Sequence, residues 1–231
     1  MFAKKPDVDS LALIDELAEA CESSLSMQNA LRPLIPTIIW NQPLEAFDWQ
    51  NEQWPIQELT ATVMFTDIAG FTALMETYPV HQVIEHLNVY LGMVSQIVER
   101  CRGDVHKFLG DGLMAIFICP ADAVKAGREI QRAVAEFNDR QEAEGWARFE
   151  TRLAIDTGDL VLASVGSRTR QDYTLLGRPV NQASHLCDRA AAGTVWISQR
   201  TFDRVTNKCD FRRCTESVQE EHPVAYEMAC I

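Results

Sequence analysis

The order of elements readable in this chain predicts an α+β layered fold of the split-βαβ kind. Three observations carry that prediction. From Leu59 onward, short runs rich in β-branched and aromatic residues alternate with stretches of helical spacing, in the order β-α-β-β-α-β-β-α-β and then a tail. Glycine-containing turns join neighbouring apolar runs, as antiparallel hairpins require. The 231 residues, 47% of them hydrophobic, suffice for one sizeable core with an appendage.

Residues 7–31 read as an amphipathic helix, with Asp9 or Ser10 as cap, Leu11, Leu13, Ile14, Leu17, Ala18 and Cys21 on one face, and Pro33 and Pro36 ending it. Residues 37–57 form an irregular connector in which Trp40, Trp49 and Trp54 serve as anchoring bulk. The division is thus 1–56, N-terminal helix and connector, and 57–231, a single larger domain. Within it, "LTATVMFTDI" is a strand, and "VHQVIEHLNVYLGMVSQIVERC" is a helix with Val83, Ile84, Leu87, Tyr90, Leu91, Val94, Ile97 and Val98 on one face. "DVHKFL" and "LMAIFI" make a hairpin around Gly110–Gly112. A second helix runs over "ADAVKAGREIQRAVAEFNDRQEAEG" and ends at Gly145. "ARFETRLAIDTG" and "LVLASVG" are expected to form another hairpin, "RTRQD" a solvated loop, and "GRPVNQASHLCDRAA" a third helix with Pro179 in its first turn. "TVWIS" and "PVAYEMAC" supply the last strands.

Composition narrows the function classes. A net charge of −12 argues against a nucleic-acid-binding face or an anionic-membrane partner, yet leaves room for an anionic nucleotide held through metal ions. The seven cysteines form no CxxC, which suggests neither a disulfide framework nor a zinc site and suits reduced thiols in a cytoplasmic protein. No apolar run is long enough to span a membrane, and the N-terminus turns acidic before any apolar run, unlike a signal peptide. His81, His86, His106 and His222 lack metal-ligand spacing, and Met64, Met75, Met93 and Met114 read as core filling.

Two acidic turns stand out. In "KFLGDG", Asp111 sits between two glycines, which alone is ordinary hairpin chemistry with a solvated acid. In "FTDIAGFT", Asp67 stands where the first strand stops, followed by Gly70 and a new element. Backbone N–H groups in such a turn can form an anion-binding nest, and a carboxylate beside it suits a metal-bridged phosphate. In a split-βαβ sheet the two turns are neighbours, and two acids there can hold two divalent ions about 3.5–4 Å apart.

The trio "VMFTDIAGFT", "HKFLGDGLMAIF" and "DYTLLGRPVNQASHL", in this order, resembles the catalytic domain of class III adenylate and guanylate cyclases over roughly residues 57–205. The resemblance implies a ferredoxin-like fold, a homodimer with active sites shared between chains, and two Mg²⁺ or Mn²⁺ ions as cofactors. It implies metal binding by Asp67, Asp111 and the Ile68 carbonyl, and a triphosphate wrapped by the turn 68–72 with Gly70, Phe71 and Thr72. Lys107 and Thr174 match the base-reading pair, and Asn181 the residue that orients the ribose. An ammonium donor and a hydroxyl acceptor fit the N1 acceptor and amine donor of adenine, so ATP is the expected substrate. Guanylate cyclases of this family usually place Glu and Cys at these positions. Cytosine also shows an acceptor beside an amine, so hydrogen bonding leaves a pyrimidine triphosphate open.

Three departures accompany the resemblance. His185 stands where a transition-state arginine is expected, one helical turn after Asn181. It acts there weakly, or Arg189 substitutes, or the site is impaired, or His185 is merely a polar face residue. The Lys-Gly that often precedes the last strand is replaced by the acidic "ESVQEEHPVAYEM", where Lys208, Arg212 or Arg213 are the nearby cations. Asp156 in "AIDTG" replaces a common His and carries no assigned role. The expected activity is attack of the ribose 3′-OH on the α-phosphorus, giving a 3′,5′-cyclic monophosphate and pyrophosphate. The alternatives are a cyclase for GTP or a pyrimidine triphosphate, and a non-catalytic nucleotide-binding or dimerisation module. In many relatives a coil like residues 7–31 joins an upstream sensor or regulator, and residues 1–56 are too few to be that sensor.

Overall fold

The structure, a computed structural model, describes residues 22–30, 32, 41, 43–48, 50, 54–167, 170–214 and 224–228. Two compact units divide the chain, Met1–Asn41 and Gln42–Ile231. In the smaller unit, residues 22–30 are helical and exposed. The proposed caps Asp9 and Ser10, the apolar positions from Leu11 to Cys21, and Pro33, Pro36 and Trp40 lie outside the described residues, as do Trp49 and His222.

The larger unit is built on one mixed sheet. Its strands are β1 Gln57–Ile68, β2 Gly103–Leu109, β3 Gly112–Phe117, β4 Thr151–Ser167, β5 Arg170–Leu176, β6 Val195–Ser198, β7 Phe211–Arg213 and β8 Ala225–Met228. They run in the order β2-β3-β1-β4-β6-β8-β7, with β5 paired to β4. The β4–β6 pair is parallel and the other pairs are antiparallel. The helices are α1 Phe71–Thr77, α2 Val80–Arg100, α3 Pro120–Ala143, α4 Arg178–Arg189 and α5 Gln199–Arg204. Among the described residues no helix is long and apolar enough to cross a membrane.

Residues 61–66 of β1 are buried without a break, so the strand is covered on both faces. On one face, Met64 and Ile68 join Leu153, Ile155 and the buried stripes of α2 (Tyr90, Val94, Ile97, Val98) and α3 (Ala126, Ile130, Val134, Phe137) in the main core. The alternate residues of β4 turn to the other face, where Arg152 reaches the Asp188 carbonyl of α4. There α4 buries Pro179, Gln182, Ala183, Leu186 and Cys187. Pro120 and Pro179 each sit in a first helical turn, where the missing N–H costs nothing. Trp54 packs on Phe47 and Tyr173 at ring-centroid distances of 5.2 and 6.0 Å, and the Tyr173 hydroxyl donates to the Pro55 carbonyl at 2.9 Å. The connector is therefore fastened to β5.

Two expectations are overturned. The run "TRLAIDTGDLVLASVGS" is not a hairpin but one 17-residue strand, β4, paired to β1 along all of Gln57–Ile68. Gly158 is there for space and not for a turn: a Cβ would meet Arg200 Nη1 and Pro179 Cγ at 3.0 Å each. The segment read as a solvated loop instead enters β5 at Arg170, opposite Ser167. Short elements, among them β7, α5 and the 3-10 turns at Leu44–Ala46 and Lys208–Asp210, escaped the sequence reading because they are too short to show a period.

Candidate active site

The turn between β2 and β3 is two residues long, with Leu109 opposite Gly112. Gly110 takes φ 70°, the left-handed region that glycine enters without penalty. A Cβ on Gly112 would lie 1.8 Å from the Thr66 carbonyl oxygen, so this position must be glycine for β3 to approach β1. The result places Asp111 over the end of β1, where its Oδ2 accepts a hydrogen bond from the Ile68 amide at 3.0 Å. Burial raises the Asp111 pKa above the usual carboxylate value. The Ile68 amide works against that rise, and the charge of Asp67 adds to it.

Asp67 lies opposite Arg152 in the β1–β4 register. Its Oδ2 accepts from Arg152 Nε at 2.9 Å and also from Nη2. The donor set is therefore two half-buried carboxylates and the backbone of Ile68, all oxygen, which suits Mg²⁺ or Mn²⁺. Among the described residues no cluster of three or more His, Cys, Asp or Glu forms. A magnesium site at two such carboxylates would be completed by substrate phosphates and water. Beyond it, the Ile68 amide is taken by Asp111 and the Ala69 amide by the Glu150 carbonyl at 2.9 Å. Of the turn 68–72, this leaves the amides of Gly70, Phe71 and Thr72, at the start of α1, with no hydrogen-bond acceptor among the described residues outside the helix and able to face an anion.

The second constellation joins β2 to β5. Lys107 Nζ donates to Thr174 Oγ1 at 2.8 Å and to Asp172 Oδ2 at 2.7 Å. His106 is buried beside them, with Nε2 3.4 Å from Thr174 Oγ1 and 3.4 Å from the Leu175 amide. Asn181 and His185 occupy the exposed side of α4, opposite its buried stripe. No hydrogen bond or ion pair among the described residues ties either to the carboxylate pair or to Lys107 and Thr174. Of the later cations, Arg212 pairs with Glu227 at 3.2 Å and Lys208 lies over the Phe202 ring at 5.2 Å.

Three residues at these sites were not found from sequence: Arg152, Asp172 and His106. Arg152 could have been found as the only basic residue opposite Asp67, but only with β4 read as one strand. Asp156 proves structural. It is fully buried, takes the Thr157 amide at 2.7 Å, and is bonded by the Ser198 hydroxyl and the Arg200 guanidinium.

Comparison with known proteins identifies the family and the fold. The family described as "Adenylate and Guanylate cyclase catalytic domain" matches residues 56–223. An uncharacterized protein of Mycobacterium tuberculosis is 31% identical over 199 residues, covering 82% of this chain and 35% of that protein. Adenylate cyclase 1 of Rhizobium meliloti is 36% identical over 137 residues, covering 56% of this chain and 20% of that protein. The chain thus spans about a third or less of the length of these curated relatives. Among solved structures, the adenylyl cyclase CyaB from P. aeruginosa superposes with a TM-score of 0.67 at 30% identity, covering 76% of this chain and 96% of that one. The guanylyl cyclase Cya2 superposes equally well, TM-score 0.67, at 24% identity over 76% of this chain and 94% of that one, a likeness of fold.

Proposed function

Because the chain belongs to the adenylate and guanylate cyclase catalytic domain family, we propose that residues 57–231 form a catalytic domain converting ATP to 3′,5′-cyclic AMP and pyrophosphate. The observation that carries the choice of adenine is the meeting of Lys107 and Thr174 at 2.8 Å, a cationic donor beside a hydroxyl. The base offers an acceptor at N1 and a donor at its amine, and this pair answers both. The adenylate cyclases among its relatives support the same choice.

Asp67, Asp111 and the Ile68 carbonyl would hold the two divalent ions. Those ions, when bound, supply Lewis-acid charge that acidifies the ribose hydroxyl and neutralises the leaving pyrophosphate. The chain's own groups position the reactants. The amides of Gly70, Phe71 and Thr72 bind phosphate oxygens, and Arg152 stands ready to share its guanidinium between Asp67 and the triphosphate. Asn181 orients the ribose, and His185 meets charge on the reacting phosphate. The new bond is O3′ to the α-phosphorus, the bond from that phosphorus to the β-phosphate bridge breaks, and the hydroxyl proton passes to solvent. The exposure of Asn181 and His185, with no hydrogen bond or ion pair among the described residues to Asp67 or Asp111, supports a homodimer in which each chain completes the other's site. The thiols of Cys101, Cys119 and Cys187, which form no disulfide, support a reducing, cytoplasmic setting. Incubating the protein with each of the four NTPs and Mn²⁺, and measuring cyclic product, tests the reading. Turnover of GTP in preference to ATP would move the substrate, and turnover of none would remove the activity.

A second reading is favoured by one observation. Histidine at position 185, in place of a permanently charged arginine fork, weakens transition-state stabilisation. On that reading the domain binds nucleotide without converting it. Calorimetry showing ATP binding without product would support it.

A further inference from the structure

The strand β2 breaks its own alternation between Val105 and Lys107: Val105 stands opposite Ala115, whereas Lys107 stands opposite Met114. The extra residue is His106. In a regular strand, neighbours point to opposite faces. Here the bulge lets two consecutive side chains reach one hydroxyl, with Lys107 Nζ at 2.8 Å and His106 Nε2 at 3.4 Å from Thr174 Oγ1. Bulges beside active sites commonly re-aim a side chain in this way.

We propose that His106 is a positioning residue for base selectivity, its imidazole accepting the Thr174 hydroxyl proton so that the threonine oxygen can act only as an acceptor toward the base. The inference rests on the reading of Lys107 and Thr174 as the base-recognition pair. A threonine hydroxyl is ambivalent, able to donate once and accept twice. Lys107 donates to it, which fills one lone pair. Its own proton then needs an acceptor, and His106 Nε2 is the one within reach among the described residues. The Leu175 amide lies 3.4 Å from the same nitrogen, so the two donors share its one lone pair; because an amide N–H can only donate, Nε2 is unprotonated and the ring proton is on Nδ1. Nδ1 is buried and has no hydrogen-bond partner among the described residues. Burial, helped by the Lys107 ammonium and opposed by Asp172, lowers the imidazole pKa to about 4, so the ring is neutral at working pH. One lone pair of Thr174 is left for the nucleotide. It accepts from the amine of adenine and opposes the carbonyl that guanine presents at the equivalent position. Selectivity then comes from a residue that never touches the base.

The experiment compares the full chain with its His106→Leu and His106→Gln variants, titrating each with non-hydrolysable ATP and GTP analogues in Mn²⁺. Leucine removes the acceptor and frees the hydroxyl to rotate, so the ratio of the two dissociation constants should fall by about tenfold. Glutamine offers a carbonyl oxygen in place of Nε2 and should keep the ratio within about threefold. In a Thr174→Val background the leucine change should move the ratio less than twofold, because the coupling runs through that hydroxyl. An unchanged ratio in His106→Leu overturns the proposal. Should that variant not fold, ¹⁵N NMR of the wild-type ring decides: a proton on Nε2 overturns the assignment, and a bare Nε2 supports it. Equal affinities for both analogues in the wild type remove the selectivity and with it the proposal. Selective binding without cyclic product leaves the proposal standing and sinks only the catalytic reading.

Discussion

Lys107 Nζ and Thr174 Oγ1 meet at 2.8 Å across 67 residues of sequence, the first on β2 and the second on β5. Neither strand pairs with the other in the sheet, so the contact depends on the side chains themselves. Removing the ammonium leaves both the hydroxyl and the base edge without their donor. Lys107→Ala is expected to lower kcat/KM for ATP by roughly 10–100-fold, the cost of one lost charged hydrogen bond. Steady-state kinetics with ATP measures it, and an unaltered kcat/KM would remove Lys107 from the base site.

Asp67 and Asp111 converge on Ile68 from adjacent strand ends. Asp67→Asn and Asp111→Asn should each reduce turnover by roughly 10²–10³-fold. Thermal melting of Asp111→Asn should stay near wild type, since Asp111 contributes one half-buried hydrogen bond to the fold. Cyclic product measured in saturating Mn²⁺ provides the check.

Asn181 and His185 point away from the core of their own chain. If two chains share each site, an inactive Asp111→Asn protein and an inactive Asn181→Ala protein should regain activity on mixing. Product formation in the mixture above the sum of the two parents measures this complementation. Its absence, with dimers present by sedimentation, would place the whole site within one chain.

Much of the fold was legible because periodicity is written by burial. The stripe of α2, Val83 to Val98, and the continuous apolar run of β1 announce their partners directly. β4 was misread because "DTGD" has turn chemistry, whereas pairing with β1 along its whole length keeps the strand extended through Gly158. Of the residues taken from motifs, Asp111 meets the Ile68 amide and Lys107 meets Thr174. Those missed are set by register and bulge. Arg152 is meaningful only once it stands opposite Asp67, and His106 only once the bulge turns it toward Thr174. Asp172 was assigned to a loop and proves to be a strand residue that holds Lys107.

Arg200 closes the buried side of Asp156. Burial raises the Asp156 pKa, and the Ser198 hydroxyl and Arg200 oppose the rise. Arg200→Ala strands a fully buried carboxylate and should destabilise the domain by about 3–5 kcal/mol. Urea unfolding at neutral pH gives the value. A loss under about 1 kcal/mol would mean that water or the hydroxyls replace the guanidinium.

His106 is neutral when folded down to a pKa of about 4, whereas an unfolded histidine takes up its proton near 6.5. Folding therefore excludes a proton as pH falls. The stability tied to this ring is complete above pH 6.5 and is lost progressively between pH 6.5 and about 4, on the order of 3 kcal/mol across the window. Unfolding midpoints from pH 7 to 4 should fall less steeply in His106→Gln than in wild type. Parallel slopes would mean that the imidazole is charged in the folded protein.

The most direct measurement follows both products from ATP and Mn²⁺ in one reaction. Cyclic AMP and pyrophosphate should appear in equal amounts from the wild-type protein, and neither from Asp111→Asn. ADP with phosphate, or no product from a protein that binds the nucleotide, would contradict the assignment of these carboxylates to an intramolecular phosphoryl transfer.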